Sequence, residues 1–178
     1  MTAPGRLRLP AGGAGLRRSL APLAALQEPS ADRYIGCMKL VVIGCGRVGS
    51  AVARDLAEDG WDVTAVDEQE EALARLGSRW SGGFVVGHGM DAEILRKAGV
   101  PDADAVVVAT SGDNTNLVIG QVVEKRYAVP CVIVRVLDPA RADFYAARGL
   151  RTICPTQTAI SALGAAVRKA TPVPVEQS

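Results

Sequence analysis

The residues most suggestive of chemistry form a glycine-rich run, Gly44-Cys45-Gly46-Arg47-Val48-Gly49, which fits the pattern G-x-G-x-x-G. The run follows a short apolar segment of β-branched residues and precedes an apolar repeat with helical spacing. In such a strand–turn–helix unit the first glycine permits a tight turn, the second lets the backbone approach a pyrophosphate, and the third lets the helix pack closely on the sheet. The helix N-terminus then presents free N–H groups to phosphate oxygens. The spacing therefore predicts a nucleotide-binding loop.

An acidic residue, Asp67, stands 23 residues after Gly44, where the second strand of such a unit should end. A carboxylate at that point can accept hydrogen bonds from both hydroxyls of a ribose, and its charge repels a 2′-phosphate. The residues that follow, Glu68-Gln69-Glu70, supply no arginine to hold a 2′-phosphate. We therefore expect NAD(H) or an adenine nucleotide rather than NADP. The alternative role for Asp67 is a solvated N-cap of the next helix.

Several further polar residues have two interpretations each. Arg47 within the glycine loop either contacts phosphate oxygens or is an exposed residue at the start of a helix. Thr110 and Ser111 end an apolar strand, so their hydroxyls either bind a ribose or phosphate or belong to a capping turn with Asp113. Arg135 lies in an otherwise apolar strand, so it meets either a phosphate or a structural acid.

Neither a catalytic centre nor a metal site is predicted. The single histidine, His88 in Gly87-His88-Gly89, could contact the edge of an adenine ring, but it has no carboxylate, serine or cysteine partner at a recognisable spacing. The cysteines are scattered and form no C-x-x-C pair, which argues against zinc and for a reducing, intracellular setting. These cysteines are Cys37, Cys45, Cys131 and Cys154.

The elements that must position these residues alternate between strand and helix. Short apolar runs predict strands at 39–43, 62–66, 83–86, 105–109, 131–136 and 152–154. Helical patterns lie between them, among them Val48, Val52 and Leu56 at a spacing of four residues, and a last helix spans 156–169. Such alternation predicts an α/β fold with a doubly wound, Rossmann-type parallel sheet of about six strands and a C-terminal helix.

Length and composition fit one such domain. The chain has 178 residues, a net charge of +1 and 48% hydrophobic residues, which allows a proper core and does not suggest binding to nucleic acid. No apolar stretch reaches the 18 or more residues of a membrane span. Residues 1–37 carry five arginines and two acids, so we expect a disordered extension or a start assigned too early, with Met38 as the true first residue. The expected divisions are 1–37, a nucleotide-binding domain over 38–155, and a helix and tail over 156–178.

The chain from Met38 to about Gln157 resembles the nucleotide-binding lobe of RCK domains, also called KTN or TrkA-N domains. Five segments carry the resemblance in order: residues 39–49, Val66-Asp67, Gly87-His88-Gly89, residues 109–116 and Arg135-Val136-Leu137-Asp138-Pro139. The first two are general to dinucleotide-binding folds, whereas the last two are far more specific to this family. The Gly-His-Gly form is similar to that of the Trk-type regulators of potassium uptake.

The resemblance implies a cytoplasmic regulatory subunit that binds NAD(H), ATP or ADP and gates a membrane potassium transporter or channel. It implies no enzyme activity, at least a homodimer, and a peripheral position on the inner face of the plasma membrane through the partner. By position, the ligand contacts it implies are Gly44, Cys45, Gly46, Arg47, Val48, Asp67, Thr110, Ser111 and Arg135. Many members have a second, C-terminal lobe for which this chain has no room, so we expect that lobe on another protein or a minimal regulator.

Two functional alternatives remain open on the sequence. One is a fragment of an NAD-dependent oxidoreductase, which would need a substrate domain and an acid–base partner that the sequence does not reveal. The other is a sensor for a different transporter. In the last helix, Ile160, Leu163 and Val167 share one face, which packs either on its own domain or across to a neighbouring copy.

Overall fold

Six parallel strands form one sheet in the part of the chain that this computed structural model describes, residues 37–171. They are β1 Lys39–Ile43, β2 Asp62–Asp67, β3 Gly83–Val86, β4 Ala105–Val108, β5 Cys131–Arg135 and β6 Arg151–Ile153. Their order across the sheet is β3-β2-β1-β4-β5-β6, and each neighbouring pair is parallel. The predicted doubly wound sheet is confirmed. The expectations for residues 1–36 and for the tail at 172–178 lie outside the described residues.

Helices connect the strands on both faces of the sheet. The α-helices are α1 Arg47–Glu58, α2 Ala92–Lys97, α3 Asp113–Tyr127, α4 Pro139–Ala146 and α5 Pro155–Ala170, and short 3-10 helices span Glu70–Leu76 and Val100–Asp102. Local sequence explains several boundaries. The Asp138 carboxylate accepts a hydrogen bond from the Arg141 amide at 2.8 Å, with proline at the first position of α4. Within residues 37–171, no helix combines the length and apolar character needed to cross a membrane.

The core lies on both faces of the sheet because successive side chains of a strand point to opposite sides. On β1, Leu40 and Val42 belong to the cluster that α1 and the first 3-10 helix cover, whereas Val41 and Ile43 belong to the cluster around α3. All four side chains are at most 3% exposed. The central strands are therefore nearly continuous apolar runs, as buried parallel strands require.

Helix α1 buries a different face from the one that its larger apolar residues predict. Val48 is 41% exposed, and Val52 and Leu56 are only partly buried. The buried residues are Gly49, Ser50 and Ala53. A Cβ added at Gly49 would lie 1.9 Å from the Gly44 carbonyl oxygen, so the helix sits too close to the sheet for bulkier side chains.

Helix α5 buries none of its residues within the described part of the chain. Ile160, Leu163 and Val167 are 55%, 68% and 62% exposed. Of the two alternatives for this apolar face, packing on its own domain is therefore not observed in residues 37–171.

Candidate nucleotide-binding site

A cleft of about 610 Å³ opens at the carboxyl ends of the strands, around the junction of β1 with β2 and β4. In a doubly wound sheet this is where the strand order reverses and where ligands bind. Its size falls within the range of small-molecule sites. It brings together eight of the nine residues predicted to contact a ligand: Gly44, Gly46, Arg47, Val48, Asp67, Thr110, Ser111 and Arg135.

The glycines of the loop differ in what requires them. Gly44 has a φ of +97°, and a Cβ there would lie 2.6 Å from the Thr110 amide nitrogen, so the turn itself demands glycine. Gly46 has an ordinary φ of −70°, and a Cβ would meet no protein atom within 4 Å. Neither backbone conformation nor packing therefore requires glycine at position 46. Its missing side chain leaves space on the floor of the cleft, which suits the close approach of a phosphate group.

The first turn of α1 lies at the floor of the cleft, next to Gly46. Its N-cap is Gly46, which has no side chain to cap the helix, and no acidic residue lies in the first turn. The backbone N–H groups there are the ones that an anion satisfies at a helix N-terminus. Arg47 and Val48 are exposed and line the cleft beside them, so the loop offers both backbone donors and a cation.

Asp67 joins the end of β2 to the glycine loop. Its Oδ2 accepts a hydrogen bond from the Cys45 amide at 2.7 Å, and its Oδ1 accepts one from the Gln69 amide at 3.0 Å. This second bond does not cap the Glu70–Leu76 helix, whose N-cap is Gln69 with no side-chain cap, so the capping alternative is not observed, and Asp67 lines the cleft. Each oxygen keeps acceptor capacity for a further donor, so the carboxylate is oriented and can still accept from ribose hydroxyls.

Cys45 is the predicted contact residue that the structure places elsewhere. Its side chain is 0% exposed within the core cluster beneath the loop, and its amide is used by Asp67. Burial, together with the nearby charge of Asp67, raises the pKa of the Cys45 thiol to about 12, although the Arg75 guanidinium acts in the opposite direction. The thiol is therefore a neutral core group, and a direct contact between Cys45 and a ligand is not supported.

A buried amide, Asn116, ties together the ends of β4 and β5. It is 0% exposed. Its Oδ1 accepts from the Thr110 amide at 2.9 Å and from the Thr110 hydroxyl at 2.6 Å, and its Nδ2 donates to the carbonyls of Thr110 and Arg135, each at 3.0 Å. Sequence reasoning did not assign a role to Asn116. The available signal was an amide on the inward face of α3, next to the buried Leu117.

Arg135, the last residue of β5, lines the cleft. Its guanidinium donates to the Thr110 carbonyl through Nη2, while its buried Nε has no hydrogen-bond partner. Among residues 37–171, Arg135 forms no ion pair with a carboxylate. Of the two predicted alternatives, pairing with a structural acid is therefore not observed. The Nη donors that Thr110 does not use are available to an anion in the cleft.

The capping alternative for Thr110 and Ser111 is not observed either. The N-cap of α3 is Gly112, which makes no side-chain cap. Asp113 instead accepts from the amides of Leu137 and Asp138, at 2.8 and 3.0 Å, and so fixes the connection between β5 and α4.

The cleft also includes residues that were not predicted as ligand contacts, namely Glu68, Gln69, Arg75, Gly87 and Gly89 among others. Arg75 donates to the Cys45 carbonyl at 3.4 Å, and the Glu70–Leu76 helix carries it to the cleft from a position 30 residues along the chain. No local sequence pattern predicts this contact between Arg75 and Cys45.

His88 lies outside the lining of the cleft. Its Nε2 is 3.2 Å from a Glu68 carboxylate oxygen, and its Nδ1 accepts from the Met90 amide. The described residues contain no group of three or more histidine, cysteine or acidic side chains that could hold a metal ion.

Residues 40–155 match the family model described as the TrkA-N domain, which is well over half of the chain. The chain belongs to the TrkA-N domain family. A TrkA-N relative from Streptomyces coelicolor, named Trk system potassium uptake protein TrkA, is 40% identical over 116 residues. That alignment covers 65% of this chain and 52% of the relative, so the chain spans about half of that relative's length.

Solved structures share the TrkA-N fold at lower identity. The Kef C-terminal domain of Shewanella denitrificans in its AMP-bound form aligns with a TM-score of 0.66 and 21% identity, over 76% of this chain and 82% of that one. The GsuK channel aligns in its ADP-bound form with a TM-score of 0.65 and 21% identity, over 75% and 35% of the two chains. Its NAD-bound form aligns at 0.61 and 23%, over 71% and 22%.

Proposed function

We propose that this chain is a nucleotide-sensing regulatory subunit of a potassium uptake system. The observation that carries the proposal is the cleft in which three features converge: an open glycine floor at Gly46, an oriented carboxylate at Asp67, and a guanidinium at Arg135 that has no acidic partner within residues 37–171. Support for the potassium system comes from the name of the Streptomyces relative. Support for the ligand class comes from neighbours whose structures hold AMP, ADP or NAD.

The ligands proposed are NAD(H), which we favour, and ATP or ADP. The helix N-terminus at Gly46 would hold phosphates, and Asp67 would hold the ribose that carries the adenine. NADP is disfavoured because Asp67 and Glu68 both line this side of the cleft, and their charges oppose a 2′-phosphate. Arg75 lines the same side of the cleft, but the Asp67 carboxylate would still face a 2′-phosphate.

The site is proposed to bind its ligand without transforming it. Hydride transfer would need an acid–base group beside the reacting carbon. Both cleft carboxylates, Asp67 and Glu68, lie at the carboxyl end of β2, whereas the polar groups at the ends of β4 and β5 are Thr110, Ser111 and Arg135. None of these three is a general base at neutral pH. Measurable NADH turnover with a panel of alcohols and hydroxy acids would instead support the oxidoreductase alternative.

Regulation would work by population shift. A ligand biases a gate only by the difference in its affinity for two arrangements of the regulator. The proposed arrangement is at least a homodimer, bound to a membrane potassium transporter or channel on the cytoplasmic face. The exposed apolar face of α5, formed by Ile160, Leu163 and Val167, is the surface we propose for contact between copies.

The test is potassium uptake by cells that depend on this regulator, with Asp67→Ala compared with Asp62→Ala. The two aspartates stand at opposite ends of β2, and only Asp67 lines the cleft. We expect Asp67→Ala to abolish the nucleotide dependence of uptake and Asp62→Ala to behave as wild type.

Uptake that shows no nucleotide dependence in wild type would contradict the potassium assignment, and uptake that keeps its nucleotide dependence in Asp67→Ala would contradict the role of Asp67. If the purified protein nevertheless bound nucleotide, a sensor for another transporter would be the better description.

A further inference from the structure

The orientation of the Asn116 amide is fixed by its backbone partners. The atom 2.9 Å from the Thr110 amide nitrogen must be the acceptor oxygen, and the atom 3.0 Å from the carbonyls of Thr110 and Arg135 must be the donor nitrogen. Exchanging the two atoms would place an amide against a donor and an oxygen against two acceptors.

This orientation determines what the Thr110 hydroxyl can do. Its Oγ1 lies 2.6 Å from Asn116 Oδ1, which can only accept, so the hydroxyl proton must be donated to Asn116. Thr110 lines the cleft, and its oxygen retains only lone pairs for a ligand. A ligand group that meets Thr110 must therefore be a donor, such as a sugar hydroxyl. An ionised phosphate oxygen, which only accepts, is a poor partner.

Thr110 and Asp67 are too far apart to serve the same sugar. Strands β2 and β4 lie on either side of β1, so their ends are two strand spacings, about 10 Å, apart. The Asp67 carboxylate bonds to the Cys45 amide in the loop after β1, whereas Asn116 links Thr110 towards β5. The cleft thus has two separate acceptor positions for sugar hydroxyls, with the open floor at Gly46 in the loop after β1.

We propose that Asn116 is a positioning residue that makes Thr110 an acceptor for the second ribose of a dinucleotide, and so selects NAD(H) over ATP and ADP. The proposal rests on the proposed nucleotide-binding function and deepens it. A dinucleotide places a second pair of hydroxyls beyond its pyrophosphate, whereas ADP and ATP present only phosphate oxygens there. Arg135 can pair with phosphates of either ligand class, so the discrimination falls to Thr110.

The experiment compares ADP-ribose with ADP, which lacks the second ribose and has one more ionisable oxygen on its terminal phosphate, by calorimetric titration of the full chain. Thr110→Val removes the hydroxyl and keeps the shape, and Thr110→Ser restores the hydroxyl. Thr115→Val makes the same exchange in the first turn of α3, off the cleft. Loss of one hydrogen bond should weaken ADP-ribose binding to Thr110→Val by about 5- to 10-fold, with ADP changed less than about twofold. Thr110→Ser and Thr115→Val should resemble wild type.

Two results separate the failure of this inference from the failure of the proposed function. Wild-type protein that binds both ligands, with Thr110→Val weakening both equally or neither, overturns the role of Thr110 and leaves nucleotide binding intact. Wild-type protein that binds neither ligand overturns nucleotide binding and the inference with it.

Discussion

At the scale of single residues, most polar groups of the site already form hydrogen bonds within the protein. The Asp67 carboxylate is held by the amides of Cys45 and Gln69, so the residue proposed to bind a ribose also anchors the loop proposed to bind phosphates. On the other side of the cleft, Asn116 holds the Thr110 hydroxyl and the backbone carbonyl of Arg135. These hydrogen bonds fix the orientation of the Asp67 and Thr110 side chains before a ligand arrives.

The buried thiol under the loop gives a pH prediction. Burial and the charge of Asp67 raise the pKa of Cys45 from its ordinary 9.0 to about 12. As pH rises above 9, the unfolded chain loses this proton while the folded chain keeps it, so the folded state binds more protons and its stability falls. Cys45→Ala removes this dependence. From pH 9 to 10.5 we expect wild type to lose about 2 kcal/mol more unfolding free energy than the variant.

Urea denaturation at pH 8, 9 and 10.5 measures this difference. The two proteins share every other titrating group, so the comparison isolates Cys45. Parallel pH profiles for wild type and Cys45→Ala would show that the thiol ionises as readily in the folded protein as in the unfolded chain.

At the scale of the elements, close packing explains where sequence patterns succeed and fail. The central strands β1 and β4 are largely apolar on both faces, so composition alone indicates them. Helix α1 differs, because its small residues and not its large apolar residues face the core. Gly49 lies so close to the Gly44 carbonyl that only small side chains fit there, and Val48 lies exposed in the cleft. A helical repeat of large apolar residues identifies the helix but not its buried face when glycines set the spacing.

Helix α5 carries a prediction about assembly. Leu163 is 68% exposed at the centre of its apolar face, so Leu163→Asp should leave the fold intact and disrupt association between copies. Ser161→Asp introduces the same charge at another exposed position of the helix. In sedimentation velocity at micromolar concentration, we expect wild type and Ser161→Asp to be at least dimeric and Leu163→Asp to be monomeric. An unchanged oligomer in Leu163→Asp, or a monomeric wild type, would contradict this use of α5.

At the scale of the whole molecule, the sequence predicted the sheet and most of the cleft because those features depend on local patterns. The glycine run and Asp67 stand at fixed positions in a strand–turn–helix–strand unit, and Thr110 follows a visibly apolar strand. Three features depend instead on side-chain contacts between residues 6 to 30 positions apart. They are the burial of Cys45, the hydrogen bonds of Asn116 and the position of Arg75 in the cleft. Such contacts follow from the packed structure and not from spacing.

The central claim is that the cleft binds a nucleotide through Asp67 and the glycine loop, and calorimetric titration with NADH tests it most directly. Wild type and Asp62→Ala should bind NADH with the same affinity. Asp67→Ala should bind at least about tenfold more weakly, since it loses both the charged acceptor for the ribose and the support of the loop. Equal NADH affinity in Asp67→Ala and Asp62→Ala, or no binding to the wild type, would contradict the account.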